Sequence, residues 1–392
     1  MIKSKKILAV GAAAALVLAA CGSDDDDSTT TDAPADTEAP SGTDATGDAM
    51  SSSFVSLEDE CATYDGLQAP EGFTVNLVTD IGKVDDGTFN QFAFEGMAAA
   101  VDCFGIDNNS FIETVSEADY AANIATALED DPNALVTVGF LITTDTEAAA
   151  IDNPDVDFIG IDQFLPEYPD NMAGVVFAED ESGYIAGVLA ASLSESGVVG
   201  VVAGREDVPP VVKFVNGYIA GAESVNPDIR VLSIYNESFT DIAKGASDAS
   251  QFIGEGADVI FGAGGQTGSG GIAAAAEAGA WAIGVDQDEY FTTFASGSAP
   301  GSEYLASSAV KRVDLVTFRL IADSIQDTFE GGLFVGTASN DMVTYAEPHD
   351  AVFAAEVSTA VEAARAGLAD GSITTGICGI DGLLLGDGSA CD

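Results

Sequence analysis

One histidine and one tryptophan occur in 392 residues, and 12 lysines and arginines stand against 65 aspartates and glutamates. Each scarcity removes a class of function. With His349 as the single imidazole, histidine-based triads and multi-histidine zinc centres have almost nothing to build on. A formal charge of −53 repels phosphate, so neither nucleic acid nor an anionic membrane face is reached through a basic surface. No GxxxxGK[ST] segment occurs, so the chain itself is not expected to hydrolyse ATP. No CxxC spacing suggests a metal site, and no metal or cofactor is expected. What is abundant is apolar: 47% hydrophobic residues and 43 glycines, enough for large cores and, at this length, two domains. Binding is expected rather than catalysis.

Met1 to Cys21 places Lys3, Lys5 and Lys6 ahead of an apolar run from Ile7 to Ala20. The run is shorter than the roughly 20 residues a spanning helix needs, and residues 1–20 read as a signal peptide. Leu18-Ala19-Ala20-Cys21 resembles a bacterial lipobox. That resemblance implies cleavage before Cys21 and a diacylglycerol on its sulfur, a hydrocarbon anchor for an extracytoplasmic body. Residues 21–53, rich in Asp, Thr, Pro and Gly, read as a disordered acidic tether. The Asp24–Asp27 run lies in it without anything to fix a calcium shell. Cys61, Cys103, Cys378 and Cys391 remain, an even number in an exported chain. Their positions at the two ends of the body suggest Cys61 with Cys103 and Cys378 with Cys391, one of three connectivities.

From Phe73 onward, β-branched runs alternate with Ala-rich helical stretches. FTVNLVTD, SFIETV, ALVTVGF and DFIGID form one series; VVGVVAG, IRVLSIY, ADVIFGAG and AIGVDQ form a second. Helices are expected near 90–103, 118–129, 210–225, 241–254 and 270–279, an amphipathic one over VKRVDLVTFRLIADSIQDTF, and a last one over 350–368. The alternation predicts an α/β fold of two doubly wound parallel-sheet lobes joined by a hinge. The first lobe is read over 54–177 with part of 312–340, the second over 178–311 with part of 341–392.

Ligands of open parallel sheets sit outside the carboxyl ends of the strands. Those ends carry Asp80 and its loop, GFLITTD, Asp162, Glu206 with Asp207, YNESFTD, GAGGQTGSG and Asp286. GAGGQTGSGG follows a strand and opens a helix, yet Thr267 breaks the GxGxxG fingerprint. A frame through Gly268, Gly270 and Ala273 fits only the looser GxGxxA form and brings Asp286 too close. A secreted NAD-dependent oxidoreductase is therefore the weaker reading. A repressor of the same fold would need a helix-turn-helix ahead of the body, where the lipobox stands instead.

The stretches TDIGKVDDGTFNQFAFEG, GYIAGAESVNPDIRV, YNESFTDIAKG, GADVIFGAGGQTGSG and AIGVDQDEY closely resemble the basic membrane protein family of ABC-transporter substrate-binding lipoproteins. The resemblance spans Phe73 to Gly371. It implies a type I periplasmic-binding fold, a purine nucleoside as ligand, and permease and ATPase subunits as partners of a monomeric receptor. By motif, Asp80 and Asn90 match ribose-contacting groups, Phe89 an aromatic that stacks on the base, and Asp162 the group that reads the purine edge. Phe239 is the candidate for the opposing aromatic, with Phe140 at a strand end nearby. Gly264 and Gly265 would let backbone approach the ligand, Asp286 resembles a second ribose carboxylate, and Lys311 the cation that follows it. Each role is chemically sound, since a ring stacks on any base and a carboxylate accepts from vicinal hydroxyls.

Several residues nearby have simpler readings. Asp85 and Asp86 suit a loop or helix cap. Phe92 and Phe94 suit the core. Phe239 also suits packing beneath its loop, and Lys311 a surface pair with Asp314. Sugars stack on aromatics too, so a sugar or autoinducer receptor of the same fold stays open. Capture is expected by closure of the lobes over the ligand.

Overall fold

The inner strand-forming runs are apolar along most of their length because both of their faces are covered. In the computed structural model, which describes Met50 and residues 55–392, strand β1 (Thr74–Ile81) is buried at every position but its last. It lies inside a first sheet with β2 (Asn108–Thr114), β3 (Ala134–Val138), β4 (Asp157–Ile161), β5 (Met172–Phe177) and β11 (Gly332–Gly336). The order is β11-β5-β4-β3-β1-β2, parallel throughout. A second sheet contains β6 (Val198–Ala203), β7 (Arg230–Tyr235), β8 (Val259–Ala263), β9 (Trp281–Asp286), β10 (Leu305–Lys311) and β12 (Val343–Tyr345). Its order, β12-β10-β9-β8-β6-β7, repeats the first, with β12 alone antiparallel.

Crossover helices cover the sheets. Helices α2 (Phe89–Phe104), α3 (Tyr120–Ala127) and α4 (Thr143–Asp152) join strands of the first; α6 (Pro209–Val225), α7 (Ile242–Gly254) and α8 (Gly265–Glu277) join those of the second. The chain passes between the sheets three times: from β5 into α5 (Glu179–Leu193), from β10 into α9 (Val313–Ile325), and from β11 to β12. α5 packs on α6, and α9 returns to pack on α2. α1 (Leu57–Ala62) is tied to α2 by the Cys61–Cys103 disulfide, Cα atoms 5.9 Å apart, and the segment after α10 (Ala355–Ala369) is closed by Cys378–Cys391 at 5.6 Å.

Several sequence expectations need correction. β5, α5 and β10 were not anticipated, and the helix expected from Val310 begins at Val313, since Val310 and Lys311 belong to β10. Ser307 and Ser308 dilute the apolar pattern of β10, but both are satisfied inside: Ser307 donates to Ala346 O at 2.7 Å and Ser308 Oγ accepts Glu289 N–H at 3.1 Å. α8 begins five residues before the expected Gly270. Its glycines serve close packing: a Cβ on Gly270 would lie 2.3 Å from Ile242 O. The last helix begins at Ala355, after a turn in which Ala351 N–H donates to Pro348 O. The signal peptide, Cys21 and nearly all of the tether lie outside the described residues. Met50 does not behave as tether: it is 2% exposed in the core, the one large apolar side chain of its stretch.

The matched strand orders place β4 and β9 at equivalent positions. Ile159-Gly160-Ile161-Asp162-Gln163 and Ile283-Gly284-Val285-Asp286-Gln287 are then the same segment in the two lobes. Asp162 and Asp286 share a left-handed backbone, φ 60° and 67°, uncommon for a residue with a Cβ and typical of functional sites. That bend ends each strand and turns a carboxylate toward the space between the sheets.

Candidate functional site

At the end of β1 the pairing with β2 slips between Val78 and Ile81. Thr79 bridges the slip, its Oγ1 accepting Thr114 N–H at 2.9 Å and donating to Gly82 O at 3.1 Å. Such an irregularity re-aims the side chain beside it, here Asp80. Asp80 Oδ1 accepts from Ile81 N–H at 2.6 Å and from the Tyr120 hydroxyl. Gly139 must lack a Cβ, which would lie 2.1 Å from Asp80 Oδ2. Burial pushes the Asp80 pKa up to about 6 against these hydrogen bonds.

Asp86 acts as a cap, as its position suggests: it accepts N–H bonds from Thr88, Asn90 and Gln91 at 2.9, 3.1 and 3.1 Å. It is also a cavity wall, which the sequence reading left out. Asn90 is held on both sides, Oδ1 accepting Asp80 N–H and Nδ2 donating to Asp86 Oδ2, each at 2.9 Å. Its amide thereby also helps position Asp80. Phe89, the first residue of α2, lies with its ring centroid 4.5 Å from Lys311 Nζ, a cation-π distance.

Lys311 is no surface residue. It is 2% exposed at the end of β10, 2.6 Å from Asp162, 3.3 Å from Glu179 and 3.8 Å from Asp286. The partner of Asp314 is Arg312, with two contacts of 2.9 Å. Burial pulls the Lys311 pKa down, but the three carboxylates outweigh it and hold the ammonium above its ordinary range. Asp162 stands above its ordinary value through burial, with Lys311 opposing. Glu179 feels the same burial, but Lys213 and Lys311 together leave it below. Asp286 is pushed up to about 7 by burial, with Lys311 opposing.

From the second lobe, Phe239 lies against Gly204, where a Cβ would stand 2.3 Å from its ring. The sequence reading gave Gly264 and Gly265 to ligand approach; the structure gives at least Gly264 another reason. A Cβ on Gly264 would lie 2.3 Å from Gly204 N, so its smallness lets two strand ends touch. Gly265, at φ 56°, opens α8. Of the remaining aromatics, Phe92 is core and Phe94 packs edge-on against Phe111 at 5.2 Å.

One cavity between the sheets is lined by Asp80, Phe89, Asn90, Phe140, Asp162, Phe239, Gly264, Gly265, Asp286 and Lys311. It encloses about 660 Å³, part of it open to solvent. The sequence reading missed its apolar wall of Val208, Val211 and Phe214 at the start of α6, together with Gln266 and Val285. The strand-end rule pointed to β6, but Glu206 and Asp207, the polar residues there, line an open groove with Arg205 instead. The lobes are bridged around the cavity. Gln287 Nε2 donates to Thr88 O at 3.0 Å, Thr292 donates to Gly87 O at 2.8 Å, and Arg205 pairs with Glu117. Gln163, the counterpart of Gln287, stays within its own lobe on Thr137.

Residues 73–361 match the family model described as ABC transporter substrate-binding protein, PnrA-like. The chain belongs to that family. Among curated members, it is 33% identical over 322 residues to the ABC transporter nucleoside-binding protein BmpA of Lactococcus lactis subsp. cremoris (strain MG1363), covering 76% of this chain and 87% of that protein. It is also 33% identical over 286 residues to basic membrane protein D of Borreliella burgdorferi (strain JD1), covering 70% and 79%. Among solved structures, the fold matches an ABC transporter solute-binding protein from Aeropyrum pernix K1 with TM-score 0.67 at 23% identity, over 77% of this chain and 92% of that one. As a member of this family the chain is an ABC-transporter substrate-binding protein with a two-lobe type I periplasmic-binding fold. No helix among the described residues is long and apolar enough to cross a membrane.

Proposed function

We propose that this protein captures a nucleoside, and in particular a purine nucleoside, in the cavity between its lobes and delivers it to a membrane permease whose ATPase is a separate subunit. The observation that carries this reading is the convergence of two aromatics and three carboxylates from both sheets on one cavity, Phe89 and Phe239 with Asp80, Asp162 and Asp286. A base held between the rings gains about 1 to 3 kcal/mol from stacking on each. Asp80 and Asp286 accept from ribose hydroxyls, and Asp162 accepts from an N–H on the base edge. Carboxylates outnumber the one ammonium in the cavity, which disfavours a phosphorylated ligand. The residues around the ligand bind and orient it; we assign none of them a catalytic role. In this reading the chain works as a monomer held to the extracytoplasmic face by a lipid on Cys21. Ligand favours the closed form because only there are both sets of side chains engaged.

Calorimetric titration tests the reading on the full chain in detergent, unfolded and refolded to strip ligand. Inosine, adenosine or guanosine should bind, with cytidine, ribose and galactose weaker. Phe89→Ala should weaken purine binding about tenfold, close to 1.4 kcal/mol. Binding of ribose or galactose without any nucleoside would replace the ligand assignment and leave the fold intact. Gln287→Ala removes one bridge between the lobes and should speed ligand release about fivefold in a competition stopped-flow trace. An unchanged release rate would show that this bridge does not hold the closed form.

A further inference from the structure

A second, narrow chamber adjoins the main cavity beside Asp162, with room for about one water molecule. The two share Phe140, Asp162 and Pro210. Asp162, which lines both, keeps Oδ1 buried without a hydrogen-bond partner among the described residues. The outer wall of the chamber is Gly379 and Ile380. Both lie in the loop closed by Cys378–Cys391, and the family match ends at residue 361, so this wall lies beyond the matched body.

The loop is seated firmly. Thr375 donates to Asp180 at the start of α5, and Asn216 Nδ2 on α6 donates to Gly382 O at 2.7 Å. Gly382, at φ 76°, lies so near α6 that a Cβ would stand 2.8 Å from Lys213 N. Cys378 is 1% exposed, whereas Ile380 is 41% exposed, one face toward solvent and one in the chamber. The barrier between chamber and solvent is thus one side chain thick at this point.

We propose that the C-terminal disulfide loop is a wall of the ligand site, closing the chamber beside Asp162 and limiting the size of the ligand group that faces this aspartate. The nature of that group rests on the nucleoside reading above; the wall itself does not. With a purine edge at Asp162, an amino or oxo group fits and a bulky substituent meets Ile380.

Two measurements on the full chain decide the matter. The first compares adenosine with N6-benzyladenosine by competition calorimetry. The unsubstituted chain should prefer adenosine strongly, and Ile380→Ala should narrow the preference at least about fivefold. A preference unchanged in Ile380→Ala, with adenosine still bound, overturns the proposal. The second needs no ligand: Trp281→Phe with Phe164→Trp leaves a single indole at the chamber, whose quenching by acrylamide is followed. Opening the loop with Cys378→Ser and Cys391→Ser should raise the quenching constant at least twofold, and an unchanged constant overturns the wall. If adenosine binds to no form of the chain, the nucleoside reading fails while the quenching result still decides the wall.

Discussion

Replacing Lys311 by Met should lower the stability of the empty protein by about 3 to 5 kcal/mol at pH 8, the range for breaking a buried ion pair by removing one partner. The ammonium is 2% exposed among Asp162, Glu179 and Asp286. Glu179 retains Lys213 after the change, but Asp162 loses its direct cation. A carboxylate left in that position must stay charged without compensation or take up a proton. Either course costs free energy at pH 8. Urea unfolding measures the loss, and the exposed pair Arg205–Glu117 supplies the contrast: Arg205→Ala should cost no more than about 1 kcal/mol. Two further outcomes follow from the same cause. Asp162→Asn added to Lys311→Met should restore part of the stability, because the orphaned charge is gone. Lowering the pH should also narrow the deficit. Without Lys311 the folded-state pKa of Asp162 rises further, and a raised acid contributes stability that is present at low pH and lost as pH rises through the folded value. A deficit under about 1 kcal/mol at pH 8 would mean that Lys311 is not what holds these carboxylates in place.

The two lobes were legible because parallel sheets leave strong marks, apolar runs bounded by glycine and spaced by Ala-rich helices. Of the two strands that escaped, one did so for a physical reason. β10 carries Ser307 and Ser308 inside, where hydrogen bonds satisfy them, so its apolar pattern is interrupted. The site was legible at its polar strand ends, since carboxylates at the ends of parallel strands stand out. Its apolar wall was not, because Val208, Val211 and Phe214 look like any helix face. The left-handed backbone of Asp162 and Asp286 cannot be read from either residue alone. Its signal was the repeated Ile-Gly-x-Asp-Gln, visible in the sequence but meaningful only once β4 and β9 prove equivalent. Asn90 shows another limit: its residue type fits ligand contact and it lines the cavity, while its amide oxygen also accepts Asp80 N–H, a second use that the sequence does not show. Only the surrounding geometry reveals both uses of one amide.

Affinity for a nucleoside should fall by at least about 100-fold between pH 8 and pH 5. Asp286, pushed up to about 7 by burial with Lys311 opposing, is mostly ionised at pH 8 and only about 1% ionised at pH 5. If the ionised form accepts the ribose hydroxyls, apparent affinity follows the ionised fraction, which gives about two decades from this group. Asp80, at about 6, adds up to about another decade if it titrates independently. The empty fold should respond in the opposite sense. Asp80 and Asp286 bind protons more tightly folded than unfolded, so their contribution to stability is fully present below about pH 4 and is lost as pH rises through 6 and 7. Thermal unfolding of the empty chain should therefore occur at higher temperature at pH 5 than at pH 8, while calorimetry shows weaker binding at pH 5. Asp286→Asn separates the causes: binding at pH 8 weakens, and the remaining pH dependence shrinks to the part due to Asp80. An affinity that stays flat from pH 8 to pH 5 would separate ligand binding from the ionisation of these groups, and one that rises toward pH 5 would mean that the ligand meets these carboxyls in their neutral form, donating hydrogen bonds to the ligand instead of accepting them. The second outcome would reassign the partners of Asp80 and Asp286 from hydroxyl donors to acceptor atoms of the ligand.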